Sequence, residues 1–243
     1  MNIRRVSVIR DSFASRTGRG VRVAIIDSGV NPAHPHVAGV AGGTRIASSA
    51  EPQPTHYLDY LGHGTAVAGA IREKAPDAEL FAIKVFDRAL TTNIEIIVKA
   101  FAWCLDNQMD VINLSLGTIN PDHRAVIEGA VALATANGAV LVAAREMADK
   151  PSLPGCLPSV VGVVADWQCA RERYRTGGSN DDPVFIASPY PRDIPGVPPE
   201  RNMNGISFAV ANMSGFVARA KEYAPRASVV DIKRLLIEES KSE

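Results

Sequence analysis

The sequence predicts a single α/β domain built on a mostly parallel sheet. Apolar segments typical of buried strands alternate with segments of helical spacing. The chain has 243 residues, of which 46% are hydrophobic and 21% charged. Strands that alternate with helices at this pitch form parallel sheets, and this composition favours a large core over disorder. Neither an internal repeat nor an interdomain linker interrupts the pattern.

The first half of the chain opens with a clear strand. Residues 21–29, VRVAIIDSG, form a β-branched apolar run ending in Asp-Ser-Gly, which is typical of a doubly buried strand with a turn at its carboxyl end. The small residues of HGTAVAGAIRE, 63–73, favour a helix packed closely on a sheet, and ELFAIKVF, 79–86, predicts the next strand. Thr91 or Thr92 is expected to cap a helix whose apolar residues fall at helical spacing. These residues are Ile94, Ile97, Val98, Phe101 and Leu105.

The second half continues the alternation. DVINLSLG, AVLVAA and SVVGVVA predict three strands, and Pro121 and Gly138 bound a helix between the first two. TGGSNDDP and SPYPRDIPGVPPE belong to a long stretch rich in Pro and Gly. A helix is expected within 204–224, and a final amphipathic helix carries Val229, Ile232, Leu235 and Leu236.

Charge and cysteine usage exclude several classes of protein. Lys plus Arg and Asp plus Glu both number 26, so we expect neither nucleic acid nor an anionic membrane as a partner. Cys104, Cys156 and Cys169 fit no disulfide framework or zinc motif and are expected to be small buried hydrophobes. The basic N-terminus lacks a signal's apolar stretch, and no run reaches the ~20 apolar residues of a membrane span, so we expect a cytoplasmic protein.

A parallel α/β sheet raises the hypothesis of nucleotide binding, which the motifs do not support. Gly18 and Gly20 precede the first strand, whereas a phosphate-cradling loop follows a strand and opens a helix. The sequence also contains no GxxxxGK[ST] motif.

Three residues at the edges of predicted elements form a chemically meaningful set. Asp27 follows a strand, His63 starts a helix, and Ser207 lies near the start of a later helix. Sites of α/β proteins lie at the carboxyl ends of parallel strands. A serine becomes an effective nucleophile when a base takes its proton and a carboxylate orients that base. Because any chain of this length contains an Asp, a His and a Ser, the case depends on their flanks.

The flanking segments resemble those of the subtilisin-like serine proteases. TGRGVRVAIIDSGV, 17–30, is similar to the aspartate segment of that family, and GHGTAVAG, 62–69, matches its His-Gly-Thr-x-Val-Ala-Gly segment without a mismatch. NGISFAVANMSG, 204–215, resembles the serine segment, and NLSLG, 113–117, matches the segment that pairs with extended substrate. The order Asp, His, Ser is also that of subtilisin. The resemblance covers residues 18–215.

The resemblance implies a fold and an activity. The fold is a three-layer, mostly parallel sheet with helices on both faces, forming one peptidase domain over residues 1–243 with residues 1–17 as an N-terminal extension. A buried Asp27 would fix the tautomer of His63, whose other ring nitrogen would face the Ser207 hydroxyl.

The resemblance also implies how substrate is held. Main-chain groups of Ser115, Leu116 and Gly117 are expected to bind a peptide or protein substrate by strand addition. We predict no cofactor and assign no metal ligands. Secreted relatives carry calcium, but no complete ligand set maps onto this chain, and GGSNDDP, 177–183, is interpreted as a loop.

The chain departs from the family pattern at three places. Ile206 replaces the threonine before the serine, and Ala211 replaces the proline after it, which is expected to loosen the helix start. The third departure is Arg145-Glu146, which stands where the family has Gly-Asn. AVLVAA before this pair and LPGCLPSVVGV after it pin the register. The asparagine that donates to the oxyanion is therefore absent, a loss of about 10²–10³ in rate in subtilisin.

Three roles for Arg145 and Glu146 stay open at this point. Glu146 protonated by burial would donate to the oxyanion, as an acid does in the related sedolisins, and would give a narrow acidic optimum. Arg145 would alternatively supply a cationic donor. As a third alternative, the two side chains pair and close the cleft.

Two functions follow from these observations. The first is a serine endopeptidase, slow or narrowly specific. The second is a non-catalytic domain that binds a peptide or a protein partner.

The other polar candidates are weaker. His34 and His36 lack the acidic cluster of a metal site. His56 and His123 are interpreted as surface residues, and Asp59 as solvent-facing or as a local cap.

Overall fold

Strands and helices alternate along the chain as predicted. The computed structural model describes residues 12–47, 50–54, 56–179 and 181–241. The helices of this part are α1 His63–Lys74, α2 Ile94–Asp106, α3 Arg124–Ala136, α4 Ile206–Tyr223 and α5 Val229–Ser240. The strands are β1 Arg22–Asp27, β2 Gly42–Ala47, β3 Ala50–Pro54, β4 Glu79–Lys84, β5 Val111–Leu114, β6 Val140–Ala144, β7 Glu146–Met147, β8 Lys150–Pro151, β9 Val161–Ala165, β10 Tyr174–Gly178 and β11 Pro183–Ala187.

Nine of these strands form one sheet. Its order is β10-β11-β9-β6-β5-β1-β4-β2-β3. All neighbouring pairs from β11 to β2 are parallel, and the two outermost pairs, β10–β11 and β2–β3, are antiparallel. The predicted mostly parallel sheet is confirmed, and antiparallel strands close both of its edges.

Helices cover both faces of the sheet. On β1, the fully buried Val23 and Ile25 pack in one core with α1, α4 and α5, whereas Ala24 and Ile26 pack in a second core with α2 and α3. Successive side chains of a strand point to opposite faces, so a strand apolar at every position requires a layer on each side. The three-layer α/β fold is thereby confirmed.

Several details differ from the sequence-based expectations. Asn93, rather than Thr91 or Thr92, caps α2, because its side chain accepts the N–H of Ile96 at 3.0 Å. The stretch rich in Pro and Gly contains β10 and β11. Cys104 and Cys169 are buried as expected, whereas Cys156 is half-buried.

The N-terminal extension is partly within the described residues. Residues 1–11 lie outside them, as does Asn180 of the GGSNDDP segment. Phe13, which is 3% exposed, packs into the core beside α4, and the Ser12 hydroxyl donates to Glu239 of α5 at 2.5 Å. No helix in the described ranges combines the length and the apolar character that crossing a membrane requires.

Candidate active site

The three predicted catalytic residues lie at the ends of elements that meet in space. Asp27 is the last residue of β1, His63 is the first residue of α1, and Ser207 is the second residue of α4. Helices α1 and α4 pack against each other on one face of the sheet. The carboxyl end of β1 therefore faces the N-termini of both helices, and the fold brings all three residues to one edge of the sheet.

Asp27 and His63 form a buried hydrogen bond. The Nδ1 atom of His63 lies 2.7 Å from Oδ1 of Asp27, which is completely buried. The Ser28 N–H donates to the same oxygen at 2.7 Å and holds the carboxylate in place. Since a carboxylate only accepts, Nδ1 carries the ring proton, and the Nε2 atom of neutral His63 keeps its lone pair.

The start of α1 is fixed by close packing around His63. Gly62 adopts φ +82°, a conformation that side chains rarely take. A Cβ at Gly64 would lie 2.1 Å from the Gly29 carbonyl oxygen and 3.2 Å from Asp27. Gly62 is therefore favoured by its backbone conformation, and Gly64 by the close approach of the turn after β1.

Asp59 organises the turn that leads into His63. One carboxylate oxygen accepts the N–H groups of Leu61 and Gly62 and the Ser28 hydroxyl, and the other accepts the N–H and hydroxyl of Thr65. This half-buried carboxylate caps the N-terminus of α1, so the cap alternative is the one that the structure supports.

The charges around His63 favour its protonated form. Burial opposes that form, but the hydrogen bond to Asp27 and the charges of Asp27 and Asp59 outweigh it, so the pKa of His63 is raised above its usual value. Because the pKa of His63 is higher in the folded than in the unfolded state, protonation of His63 stabilises the fold. This contribution is fully present at pH values below the unfolded-state pKa and is lost as the pH rises through the folded-state pKa. A general base must be neutral, so activity should rise with pH over that same range.

We expect Asp59→Asn to shift the acidic limb of the pH–kcat/KM profile to lower pH. The substitution removes one charge that raises the pKa of His63. An amide also has a single acceptor oxygen for the five donors that face Asp59, so a loss of about 1–3 kcal/mol in the free energy of unfolding should accompany the shift. Profiles and thermal melts of both proteins test this, with Asp87→Asn as a charge-matched control. An unshifted limb in a folded Asp59→Asn variant would contradict the assignment.

Ser207 lies at the opening of the same site. Its hydroxyl donates to the Ser115 carbonyl oxygen at 3.3 Å, and within the described residues it makes no hydrogen bond to His63. The His63 ring packs instead on Phe208, the neighbour of Ser207, with ring centroids 5.4 Å apart. The N–H of Ser207 lies in the first turn of α4, where backbone N–H groups have no intrahelical partner.

The Ser115–Gly117 segment follows β5 and forms one wall of the site. Asn113 ties it to α4, because the Asn113 amide donates to Ser214 and the Ser115 hydroxyl donates to Asn113, both at 2.9 Å. A Cβ at Gly117 would lie 2.4 Å from the Ser152 Oγ, so this position requires glycine. The wall leads to an apolar cavity of about 180 Å³. Its lining includes Ile94, Ile97, Phe101, Leu114 and Leu116.

Arg145 pairs with a residue of another segment, and Glu146 lies at the surface. The Arg145 guanidinium pairs with Asp182 through hydrogen bonds of 2.9 and 2.5 Å, rather than with Glu146. Glu146 is exposed, so it lacks the burial that a protonated, donating carboxyl group requires. It begins the β7–β8 hairpin, in which Ala148 and Asp149 have φ of 49° and 59°, as in a two-residue hairpin turn.

Met147, a residue that sequence reasoning missed, faces Ser207 instead. It lines a small cavity of about 80 Å³ together with Ser115, Ala144 and Ser207. Its Sδ lies 3.4 Å from where a Cβ of Gly117 would be. Among the described residues, neither Arg145 nor Glu146 lines this cavity. The hairpin was not predicted, and without it the sequence carries no signal that places Met147, which is 39% exposed, along this cavity.

The two departures around the serine are accommodated without disorder of the helix. Ile206 is half-buried against the core beside the site. Ala211 is completely buried within α4, which runs without interruption from Ile206 to Tyr223, so the expected loosening of the helix start is not observed.

The remaining histidines lie apart from the Asp27–His63 pair. His34 and His36 lie together, with ring centroids 5.0 Å apart. His56 is exposed as predicted, whereas His123 is half-buried beside the apolar cavity. No group of three or more His, Cys, Asp or Glu side chains within the described ranges is placed to hold a metal ion.

Comparison with known proteins agrees with this geometry. The model of the Subtilase family matches residues 18–243. The chain is 33% identical to Subtilisin Savinase of Lederbergia lenta over 236 residues, which cover 90% of this chain and 83% of the relative. It is 29% identical to an Intracellular serine protease of Paenibacillus polymyxa, covering 85% of this chain and 68% of the relative. The chain spans only 26% of the length of another relative, the Minor extracellular protease Epr of Bacillus subtilis.

A solved structure shows the same fold. Sphericase superimposes with a TM-score of 0.75 at 24% identity, covering 93% of this chain and 85% of that protein. The family model matches nearly the whole chain beyond the N-terminal extension, and it includes α5 as well as the segments that carry the site. The chain belongs to the subtilase family, the family of subtilisin-like serine proteases.

Proposed function

We propose that this protein is a cytoplasmic serine endopeptidase that cleaves extended peptide or protein substrates through Asp27, His63 and Ser207. The observation that carries the proposal is the 2.7 Å hydrogen bond between His63 and the completely buried Asp27, at the edge where Ser207 lies in the first turn of α4. Family membership supports the reaction class. The relative named Intracellular serine protease supports the cellular location.

The proposed reaction begins with proton transfer from Ser207 to Nε2 of His63. A rotation of the Ser207 hydroxyl away from the Ser115 carbonyl brings it toward the ring. Its oxygen attacks the scissile carbonyl, and the imidazolium, held by Asp27, returns the proton to the leaving amine. Water then attacks the acyl-enzyme with His63 again as the base, which releases the acid and restores the Ser207 hydroxyl.

Substrate would be held in extended form along Ser115–Gly117. Backbone pairing gives affinity without selecting side chains, and the apolar cavity beyond Leu116 would select an apolar side chain of the acyl fragment. The developing oxyanion would meet the N–H of Ser207 and the positive end of α4, but no asparagine side chain. A slow enzyme follows from this reduced set of donors.

Covalent labelling tests the nucleophile directly. A fluorophosphonate probe should label the folded protein at Ser207, and Ser207→Ala and His63→Ala should abolish labelling. The exposed Ser179 serves as a matched control, since Ser179→Ala should label like the parent. Absence of labelling at every pH from 4 to 9 would reject the endopeptidase in a protein whose melting curve shows it folded.

A non-catalytic peptide-binding domain is the second candidate. The observation that favours it is the Ser207 hydroxyl bonded to Ser115 rather than to His63, with Met147 beside it. Such a domain would bind extended peptides equally well before and after Ser207→Ala. Turnover of peptides by the parent, absent from Ser207→Ala, would reject it.

A further inference from the structure

A cavity of about 280 Å³ lies beside the turn that leads into His63, and both polar and apolar residues line it. Its walls come from the loop after β1, the turn before α1 and the segment before α4. The residues that matter here are Asn31, His34, His36, Gly62, Arg192 and Met203. None of them takes part in the proposed chemistry.

The position of this cavity relates it to the leaving fragment. Strands β6, β5 and β1 are neighbours in the sheet, and the substrate wall and the Met147 hairpin follow β5 and β6, whereas the cavity lies after β1. Gly62 precedes His63, and the Cε atom of Met203 lies 3.3 Å from where a Cβ of Gly62 would be. Since His63 hands its proton to the leaving amine, the fragment that departs lies on this side.

Arg192 gives the cavity a positive charge that no neighbouring carboxylate neutralises. Its guanidinium donates to the His36 carbonyl oxygen at 3.4 Å and forms no ion pair within the described residues. Asp59 also lines the cavity, but both of its oxygens are occupied by the five donors at the start of α1. The negative charge of Asp59 remains, but its oxygens are already hydrogen-bonded at the start of α1, so the Arg192 guanidinium is the charged group of this cavity that is available to a ligand.

The two histidines complete a cavity suited to an anion. His34 Nδ1 accepts the N–H of His36 at 3.2 Å, which leaves the proton of the neutral His34 ring on Nε2 as a donor. Burial, and then the charge of Arg192, hold the pKa of His36 below its usual value. Ile194 and Met203 line the cavity and are 42% and 43% exposed, so they offer apolar surface to the aliphatic part of a ligand.

We propose that this cavity binds a carboxylate of the leaving fragment, so that the enzyme prefers substrates with an acidic side chain or a free C-terminus on that side of the scissile bond. The proposal rests on the proposed endopeptidase function. Both sources present the same carboxylate, and Arg192 would be its principal partner, because an arginine guanidinium matches carboxylate geometry.

Matched peptides separate the two sources. One series places Glu or Gln at each of the first three positions after the scissile bond of C-terminally amidated peptides, and a second compares short leaving fragments that end in a free acid or an amide. In one of the two series, we expect kcat/KM for the acidic peptide to be about three- to tenfold higher than for its neutral counterpart. This is the size expected for a partly exposed pair of charges. Arg192→Gln should bring that ratio to one, and Arg192→Lys should retain part of it. The charge-matched control Arg124→Gln, on exposed α3, should leave it unchanged.

A binding measurement keeps the proposal independent of turnover. Synthetic leaving fragments, acidic and neutral, are titrated by calorimetry into Ser207→Ala and into Ser207→Ala with Arg192→Gln. Tighter binding of the acidic fragment that disappears with Arg192→Gln supports the cavity even if no peptide is cleaved, an outcome that would reject only the endopeptidase. Equal binding and equal cleavage of acidic and neutral peptides would overturn the carboxylate site and leave the endopeptidase standing. An acid preference that survives Arg192→Gln would also overturn it.

Discussion

Asp27→Asn is expected to lower kcat about 10⁴-fold with little change in KM, the size found when the orienting carboxylate of a serine protease triad is removed. Oδ1 of Asp27 accepts from both His63 and Ser28, each at 2.7 Å. If the amide turns its NH₂ group to His63, the ring must carry its proton on Nε2, and no lone pair is left for the Ser207 proton. If the amide presents its oxygen instead, the imidazolium of His63 no longer has a negative charge beside it to stabilise it.

The loss of the Asp27 charge should also change the pH dependence of the remaining activity. Because the hydrogen bond to Asp27 and its charge raise the pKa of His63, Asp27→Asn should also move the acidic limb of the remaining activity to lower pH. Asp110 provides a control from the opposite end of β1, where its carboxylate accepts the Arg22 N–H at 2.8 Å. Asp110→Asn should leave kcat within about threefold of the parent, since it lies far from the reacting atoms. A loss below tenfold for folded Asp27→Asn would remove Asp27 from the triad.

The central strands and the helices could be predicted because each carries its own signal. β1 is apolar at every position from Val23 to Ile26 because both faces are covered there, and α4 follows a glycine and continues for five turns without a proline. The antiparallel pair β10–β11 at one edge of the sheet was not predicted, because it lacks such a local signal. Glycine-rich β10 is held by pairing with β11, a tertiary contact with no local counterpart in the sequence.

The residues of the candidate site could likewise be predicted only where the sequence around them carries its own signal. Asp27, His63 and Ser207 stand at element boundaries with specific flanks, so their convergence could be predicted. For the segment after β6, the register of its neighbours predicts that Arg145 and Glu146 stand where the family has Gly-Asn. In the structure this segment forms a hairpin, in which neighbouring side chains face opposite ways. The hairpin therefore decides which side chain lies beside Ser207, and in the structure it is that of Met147.

The orientation of this hairpin leads to the second large effect, a gain of about 10- to 100-fold in kcat for Met147→Asn. Met147 lines the cavity that Ser207 and Ser115 share, so an amide at this position would lie beside the carbonyl that Ser207 attacks. A preorganised second donor to an oxyanion is worth about 10²–10³ in rate. The gain should fall short of that range because a two-residue strand pair gives the new side chain little support.

Two controls separate donation from a change of shape. Met147→Leu keeps an apolar side chain of similar size at the cavity and adds no hydrogen-bond donor. Glu146→Asn adds the same amide at the neighbouring exposed position of the hairpin. Both should leave kcat within about threefold of the parent in single-turnover assays, where product release does not mask the chemical step. Acceleration by Glu146→Asn but not by Met147→Asn would return residue 146 to the oxyanion position. Equal acceleration by Met147→Leu and Met147→Asn would show that the shape of the Met147 side chain limits the rate, because leucine changes that shape but cannot stabilise an oxyanion.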